Sequence, residues 1–261
     1  MSDSVYYEKP VLLDRDKHRK RKVKPSNSFA FARKANSLYL AGVEFNEACK
    51  EYAIVFSRLG TGKTVVQVVM LGLRSRENLF VDEQGAWSGR YVPAFVRRYP
   101  FVLAQLPGQA LGVCIDEAYP GLSERDGEPL FDKEGRDTPF LKNALDFLGQ
   151  YQREFLRTEG FCHRLEQSGL LMEMNARADL VDGRSFTVAG LMVVDEKKLM
   201  ALPDAVALSL FRAGELHLIS MHLTSLSNMQ ALVDRMASRK APLQPAPKPK
   251  GRGAAQAGTA P

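Results

Sequence analysis

Asp116 and Glu117 stand side by side after an apolar run that reads as a strand. Two neighbouring carboxylates have the types needed for acid–base chemistry or for holding a metal. They are equally able to neutralise an arginine, and pairing with Arg97 or Arg98 is the expectation. Glu215, His217 and His222 make the other candidate set, because two imidazoles and a carboxylate suit non-haem iron or zinc. Their order argues against it. The iron triad wants His two residues ahead of the acid, whereas Glu215 precedes His217, and on a strand His217 and His222 point to opposite faces. No metal and no cofactor are therefore expected. His222 is read as a structural histidine bonding to a helix cap or a nearby loop. Cys49, Cys114 and Cys162 are widely spaced and provide neither a CxxC ligand pair nor a disulfide framework. Cys162-His163 is read as packing. No G-x-S-x-G elbow occurs, so Ser225 is not read as a nucleophile.

The stretch from Ser57 to Thr64 ends in Gly-Lys-Thr after a strand-like run, which invites a phosphate-loop reading. That motif needs glycine five residues before Gly62, and Ser57 stands there. A phosphate loop also opens a helix whose N-terminus meets the phosphates. Val65-Val66-Gln67-Val68-Val69 is β-branched and strand-like instead. Gly60-Thr61-Gly62 is read as the turn of a hairpin joining Ile54–Phe56 to Val65–Leu71, with no nucleotide site.

Asn78 to Phe101 holds the only tryptophan, Trp87, and interleaves aromatics with arginine and proline. Asn78–Asp82 reads as a strand and Glu83–Ala86 as its turn. Pro93 reads as the start of a short helix over Ala94–Tyr99, which Pro100 ends. Of Arg97 and Arg98, one is expected to face solvent. The other is expected to be partly buried against a carboxylate or carbonyls, since an unpaired buried charge is too costly to keep. Trp87, Tyr91, Arg97 and Arg98 are open to two roles. Trp, Tyr and Arg dominate binding energy, so the four suit a recognition surface. They equally suit a core in which one arginine closes a buried ion pair. Glu44, Asn78, Asp116, Glu117 and His222 are the further candidates for lining a pocket.

These groups need a scaffold, and 261 residues with 45% apolar and 25% charged side chains are enough for a sizeable core. No apolar run reaches the length of a membrane helix, and no secretory signal is recognised, so the expected location is cytoplasmic. The net charge of +6 is carried by the ends. Residues 15–24 hold seven of the 36 Lys and Arg, and residues 235–261 hold six more. Without these 13, and without Asp14 and Asp16, 23 basic residues face 28 acidic ones, about −5 for the body. The basic ends are read as solvated flanks, His18 included, with no stable nucleic-acid binding.

Pro10 and Pro25 punctuate a basic extended arm over 1–24, with Val11-Leu12-Leu13 as an edge strand or strap. A single domain is expected over 25–238 and a disordered Pro/Ala/Lys-rich tail over 239–261. Strand pairs are read at 54–56/65–71, 101–106/110–115 and 170–174/185–194, with shorter strands at 128–131 and 215–220. Helices are read at 43–52, 138–158, 161–167, 196–202 and 205–211, and a last one from Ser225 or Ser227 to about Arg239. Strand pairs joined by short turns, with helices in separate blocks, imply an α+β fold with a mainly antiparallel sheet of hairpins and helices packed alongside.

Several of these segments together resemble the SapC family, named for a role in surface-layer protein transport. The resemblance runs from Lys9–Arg19 through Glu44 and Tyr52–Phe56. It is most specific at Leu71-Gly72-Leu73, Asn78-Leu79-Phe80, Trp87, Tyr91-Val92-Pro93 and Arg97–Phe101, and continues at Gly127–Phe131, Gly135, Gly190-Leu191, His222 and Ser225-Leu226. The family has Tyr-Pro-Ile where this chain has Tyr52-Ala53-Ile54. The resemblance implies an accessory or adaptor protein for surface-layer or outer-surface protein export, with an exported protein or peptide as partner. The rival is an enzyme, a metal-dependent peptide-modifying oxygenase among the options. It requires Glu44, Asp116, Glu117, Arg97 or His222 to converge in one pocket.

Overall fold

Val65 to Met70 is buried at every position, as a strand covered on both faces must be. This strand, β5 (Thr64–Met70), pairs with β4 (Ile54–Leu59) on one side and β3 (Ser37–Tyr39) on the other. The sheet extends through β11 (Ser185–Val194) to β10 (Leu171–Asp179), in the order β10-β11-β4-β5-β3, antiparallel throughout. β4 and β5 form the expected hairpin, and a strand follows Thr64 where a phosphate loop would open a helix. The computed structural model describes residues 6–59, 64–106, 108, 111–179, 183 and 185–239. The Gly60–Gly62 turn and the tail from 240 lie outside them.

A second sheet joins β1 (Pro10–Leu12), β7 (Leu111–Asp116) and β6 (Phe101–Gln105) in that order. The strap over Val11-Leu12 thus pairs as an edge strand. A third, small sheet sets β2 (Lys22–Val23) between β8 (Leu122–Ser123) and β9 (Glu128–Pro129). With the helices alongside, the architecture is α+β, as expected.

The secondary structure departs from the sequence reading at several places. Pro139–Gln167 is one continuous helix (α3), not two. Thr138 caps it by accepting from the Leu141 N–H, and Gly169, at φ 65°, follows its end. An interior glycine costs about 1 kcal/mol. Burying Phe161 and Leu165 beyond Gly160 returns about 1.5–3 kcal/mol each, so the helix runs on. Glu215–Ser225 is a helix (α6), not a strand. Leu216 and Leu218 alternate with Glu215 and His217 in period two, but the buried residues Glu215, Ile219 and His222 follow the helical spacing. Asn78–Asp82 is not a strand, and only a single bridge joins Val81 to Trp87. Asn78 is the reason. Its Oδ1 accepts from the Phe80 N–H, and its amide donates to the Ala32 carbonyl, fixing a turn.

The remaining helices are α1 (Phe45–Ala48), α2 (Ala94–Arg97), α4 (Glu196–Met200), α5 (Asp204–Arg212) and α7 (Asn228–Ser238). α1 is shorter than expected and follows a 3-10 turn at Gly42–Glu44. Asp195 caps α4 through the Lys197 and Lys198 N–H groups, while Ser227 precedes α7 without a side-chain cap. α3 packs on β5 and β6, and α6 packs on β4 and β11. The larger core lies around the five-stranded sheet. A smaller one gathers Phe101, Ile115, Leu130 and Leu141 beneath the first turns of α3.

Candidate functional site

α2 carries the two arginines in different directions. Arg97 is exposed and Arg98 is 7% exposed. The loop before α2 is tied down by carboxylates. Glu51 accepts from the N–H groups of Arg90 (2.8 Å) and Tyr91 (2.6 Å). Glu44 is buried, and its Oε1 accepts from the Tyr91 hydroxyl and the Ala94 N–H, both at 2.7 Å. Its Oε2 accepts from the Ala41 N–H at 2.9 Å. Burial, reinforced by the Glu44 carboxylate, pushes the Tyr91 phenol above its ordinary value. Trp87 is half-buried, stacks on Phe80 and donates from Nε1 to the Tyr52 hydroxyl at 2.9 Å. The Tyr52 hydroxyl in turn donates to the Tyr91 carbonyl. Trp87 and Tyr91 are thus anchors of the loop that presents Arg97.

Arg97 donates from Nε to the Val92 carbonyl and lies over the rings of Phe147 (5.3 Å) and Tyr91 (5.8 Å). It borders a groove of about 430 Å³ between the segment 23–31, α2 with β6, and the first turns of α3. Seven aromatic side chains among the described residues line this groove. Phe31 stacks on Tyr99 at 3.9 Å, and Tyr99 meets Tyr119 edge-on at 5.3 Å. Phe140 and Phe147 come from one face of α3, two turns apart, with Ala144 between them. Among the described residues, the charged groups on the wall are Arg97 and Arg98, both cations. The Leu141, Leu145 and Leu148 stripe of α3 packs into the smaller core. The half-buried 140, 144, 147 stripe beside it was the available signal for the groove.

One of the two arginines was expected to be partly buried against a carboxylate or carbonyls, and Arg98 is the buried one. Its guanidinium sits among rings, 4.0 Å from the centroid of Phe95, 5.0 Å from Tyr151 and 6.0 Å from Tyr7. Cation–π attraction in such a place offsets part of the desolvation cost. Asp116 and Glu117 do not pair with either arginine. Asp116 is fully buried and accepts from the N–H groups of Glu8, Lys9 and Ala118, binding the strap to the end of β7. Glu117 pairs with Lys17 (2.7 Å) and Lys9 (2.8 Å), which hold its carboxyl down at about 2. His18, expected in solvent, is buried. Its Nδ1 accepts from the Asp14 N–H, and its Nε2 lies 3.6 Å from Glu117. The basic run is correspondingly engaged, for Arg19 and Lys22 donate to the carbonyls of Lys133 and Arg125.

Asp116→Asn tests the strap. The amide cannot accept at both former oxygens, so we expect a loss of about 1–3 kcal/mol and faster hydrogen exchange at the Glu8 and Lys9 amides. Unchanged protection of those amides by mass spectrometry would refute the assignment.

The enzyme-like set does not converge. Glu215 pairs with Arg164, His217 is exposed, and His222 is buried between β4 and β11. Its Nε2 accepts from the Val194 N–H (3.1 Å) and its Nδ1–H donates to the Ile54 carbonyl (2.8 Å). Among the described residues, no group of three His, Cys, Asp or Glu is placed to hold a metal ion. Neither the groove beside Arg97 nor the larger cavity beside Arg98 has Glu44, Asn78, Asp116, Glu117 or His222 on its wall. Cys162 is packed beneath β5 with its Sγ 2.8 Å from the Gln67 Oε1, and burial pushes its thiol up to about 12. Among the described residues, no helix is long and apolar enough to cross a membrane.

Comparison with known proteins adds one match. The sequence model of the SapC family matches residues 13–232. No curated protein and no solved structure matches the chain.

Proposed function

Because the chain belongs to the SapC family, we propose that it is a soluble, non-enzymatic adaptor for surface-layer or outer-surface protein export, acting by recognition of a protein or peptide segment. The observation that carries this reading is the aromatic groove beside Arg97. Grooves walled by aromatic rings bind extended segments of a partner chain, and the exposed Arg97 on the wall selects for one that carries an acidic group. The residues with catalytic types support the same reading. Glu44, Asn78, Asp116 and His222 each spend their hydrogen-bonding capacity on holding backbone.

The test is affinity capture from the native host with wild type and Arg97→Glu, after circular dichroism has confirmed that both fold. An exported or surface protein retained at least tenfold better by wild type is the expected result. An acidic segment of that protein should then change Trp87 emission, since Trp87 meets Phe29 on the groove wall at 5.7 Å. Equal retention by both chains, or no partner at all, would move the weight to an enzyme with a small substrate.

A further inference from the structure

A second cavity, of about 820 Å³, shares only Arg98 with the groove. Its volume falls in the range of small-molecule sites, about 300–1,000 Å³. Tyr39 and Phe155 with Leu59, Val66 and Val68 supply apolar wall. Arg98 lies deep in it, sheathed by Phe95, Tyr151 and Tyr7. Two further cations, Lys34 and Arg76, stand on the wall and are exposed, so they mark the mouth. Neither forms an ion pair with the described residues, and among those residues Glu8 is the acid that shares the wall with them. Arg76 has a second peculiarity. Its φ is +60°, and among the described residues it is the one non-glycine residue with positive φ. Backbone strain of this kind clusters at ligand clamps and switch regions.

We propose that this cavity binds an amphiphile with a single anionic head and an apolar tail. The head meets Lys34 and Arg76 at the mouth, and the tail lies along the aromatic and aliphatic wall. The inference is independent of the adaptor reading, because the groove beside Arg97 is a separate space. A carboxylate and a phosphate head share the chemistry the two cations recognise, so both serve as probes.

Calorimetric titration of the full chain with dodecanoate, dodecyl phosphate, dodecanol and dodecyltrimethylammonium, below their micellar concentrations, tests the proposal. Saturable one-to-one binding of at least one anion is expected, with the alcohol and the cation at least tenfold weaker. Lys34→Glu combined with Arg76→Glu should weaken the anion tenfold or more. Gln152→Trp, at a half-buried wall position on α3, should also weaken it by narrowing the cavity. Equal affinity for all four amphiphiles, or affinity indifferent to both variants, overturns the proposal. So does the lack of saturable binding to the full chain. Binding confined to a chain that begins at Tyr6 overturns it as well, and makes residues 1–5 the competing occupant.

Discussion

His222→Ala is expected to lower stability by about 3–5 kcal/mol, a large share of the 5–15 kcal/mol typical of a folded protein. The reason lies in the sheet. β11 pairs with β4 at Leu191↔Ser57 and Met192↔Phe56. Continued in register, Val194 stands opposite Ile54. The imidazole occupies that place, accepting from Val194 and donating to Ile54, so a side chain from α6 substitutes for a ladder hydrogen bond. Ser225, one turn later, accepts from the Ile54 N–H at 2.9 Å and completes the clip. Truncation leaves the Val194 N–H without a partner and the Ile54 carbonyl with only a long contact to the Ser225 hydroxyl at 3.5 Å, at about 1–3 kcal/mol each, and opens a void beside Phe56, whose ring lies 4.9 Å from the imidazole. Urea denaturation measures the loss. A change below 1 kcal/mol would show that α6 docks on the sheet without this contact.

The same histidine gives stability a pH dependence of defined sign. Burial outweighs the Ile54 hydrogen bond and holds the imidazole pKa down to about 4, against 6.5 for the free side chain. The unfolded chain therefore takes up a proton first as pH falls. The stabilisation from neutral His222 is complete above pH 6.5 and is lost as pH falls towards the folded value. The loss is about 3 kcal/mol over the window, and about 2 kcal/mol of it comes between pH 6.5 and 5, above the carboxylate range. His222→Gln should flatten the upper part of the curve while leaving the acid limb below pH 4.5.

Hairpins and caps were legible because they are local. The β-branched run after Lys63, the Thr138-Pro139 start of α3 and the Asp195 cap depend on a few adjacent residues. The α6 error has a different origin. Leu216 and Leu218 alternate with Glu215 and His217 in the manner of a strand, and only packing of Ile219 and His222 against β4 and β11 selects the helix. The split between the two arginines was also readable, since adjacent side chains on a short helix diverge. Their partners were not. Asp116 lies near in sequence, but the backbone of residues 8 and 9, more than 100 positions away, claims it first. Arg98 finds Tyr7 and Tyr151 from two other parts of the chain. The groove has the same character. Its wall joins segments 23–31, 96–101 and 140–147, so no single stretch contains its pattern.

Glu44→Ala should destabilise by about 3–5 kcal/mol, because hydrogen bonds to a charged group contribute about 1.5–3 kcal/mol each and three are removed together with partial relaxation. Glu44 is 5% exposed, so water does not readily replace it at the Ala41 N–H, the Ala94 N–H and the Tyr91 hydroxyl. The effect should reach function as well as stability. Ala94 is the first residue of α2, and Tyr91 lies beneath the Arg97 guanidinium. Losing the carboxylate therefore frees both ends of the segment that aims Arg97 into the groove. Glu44→Gln keeps the size and one acceptor, and should cost roughly half as much. Denaturation with unchanged m-values and shifted midpoints would give the two energies. The partner captured through Arg97 should bind more weakly to Glu44→Gln under conditions where that variant is fully folded. Partner binding equal to wild type would separate the orientation of Arg97 from the Glu44 contact, leaving the carboxylate a role in stability alone.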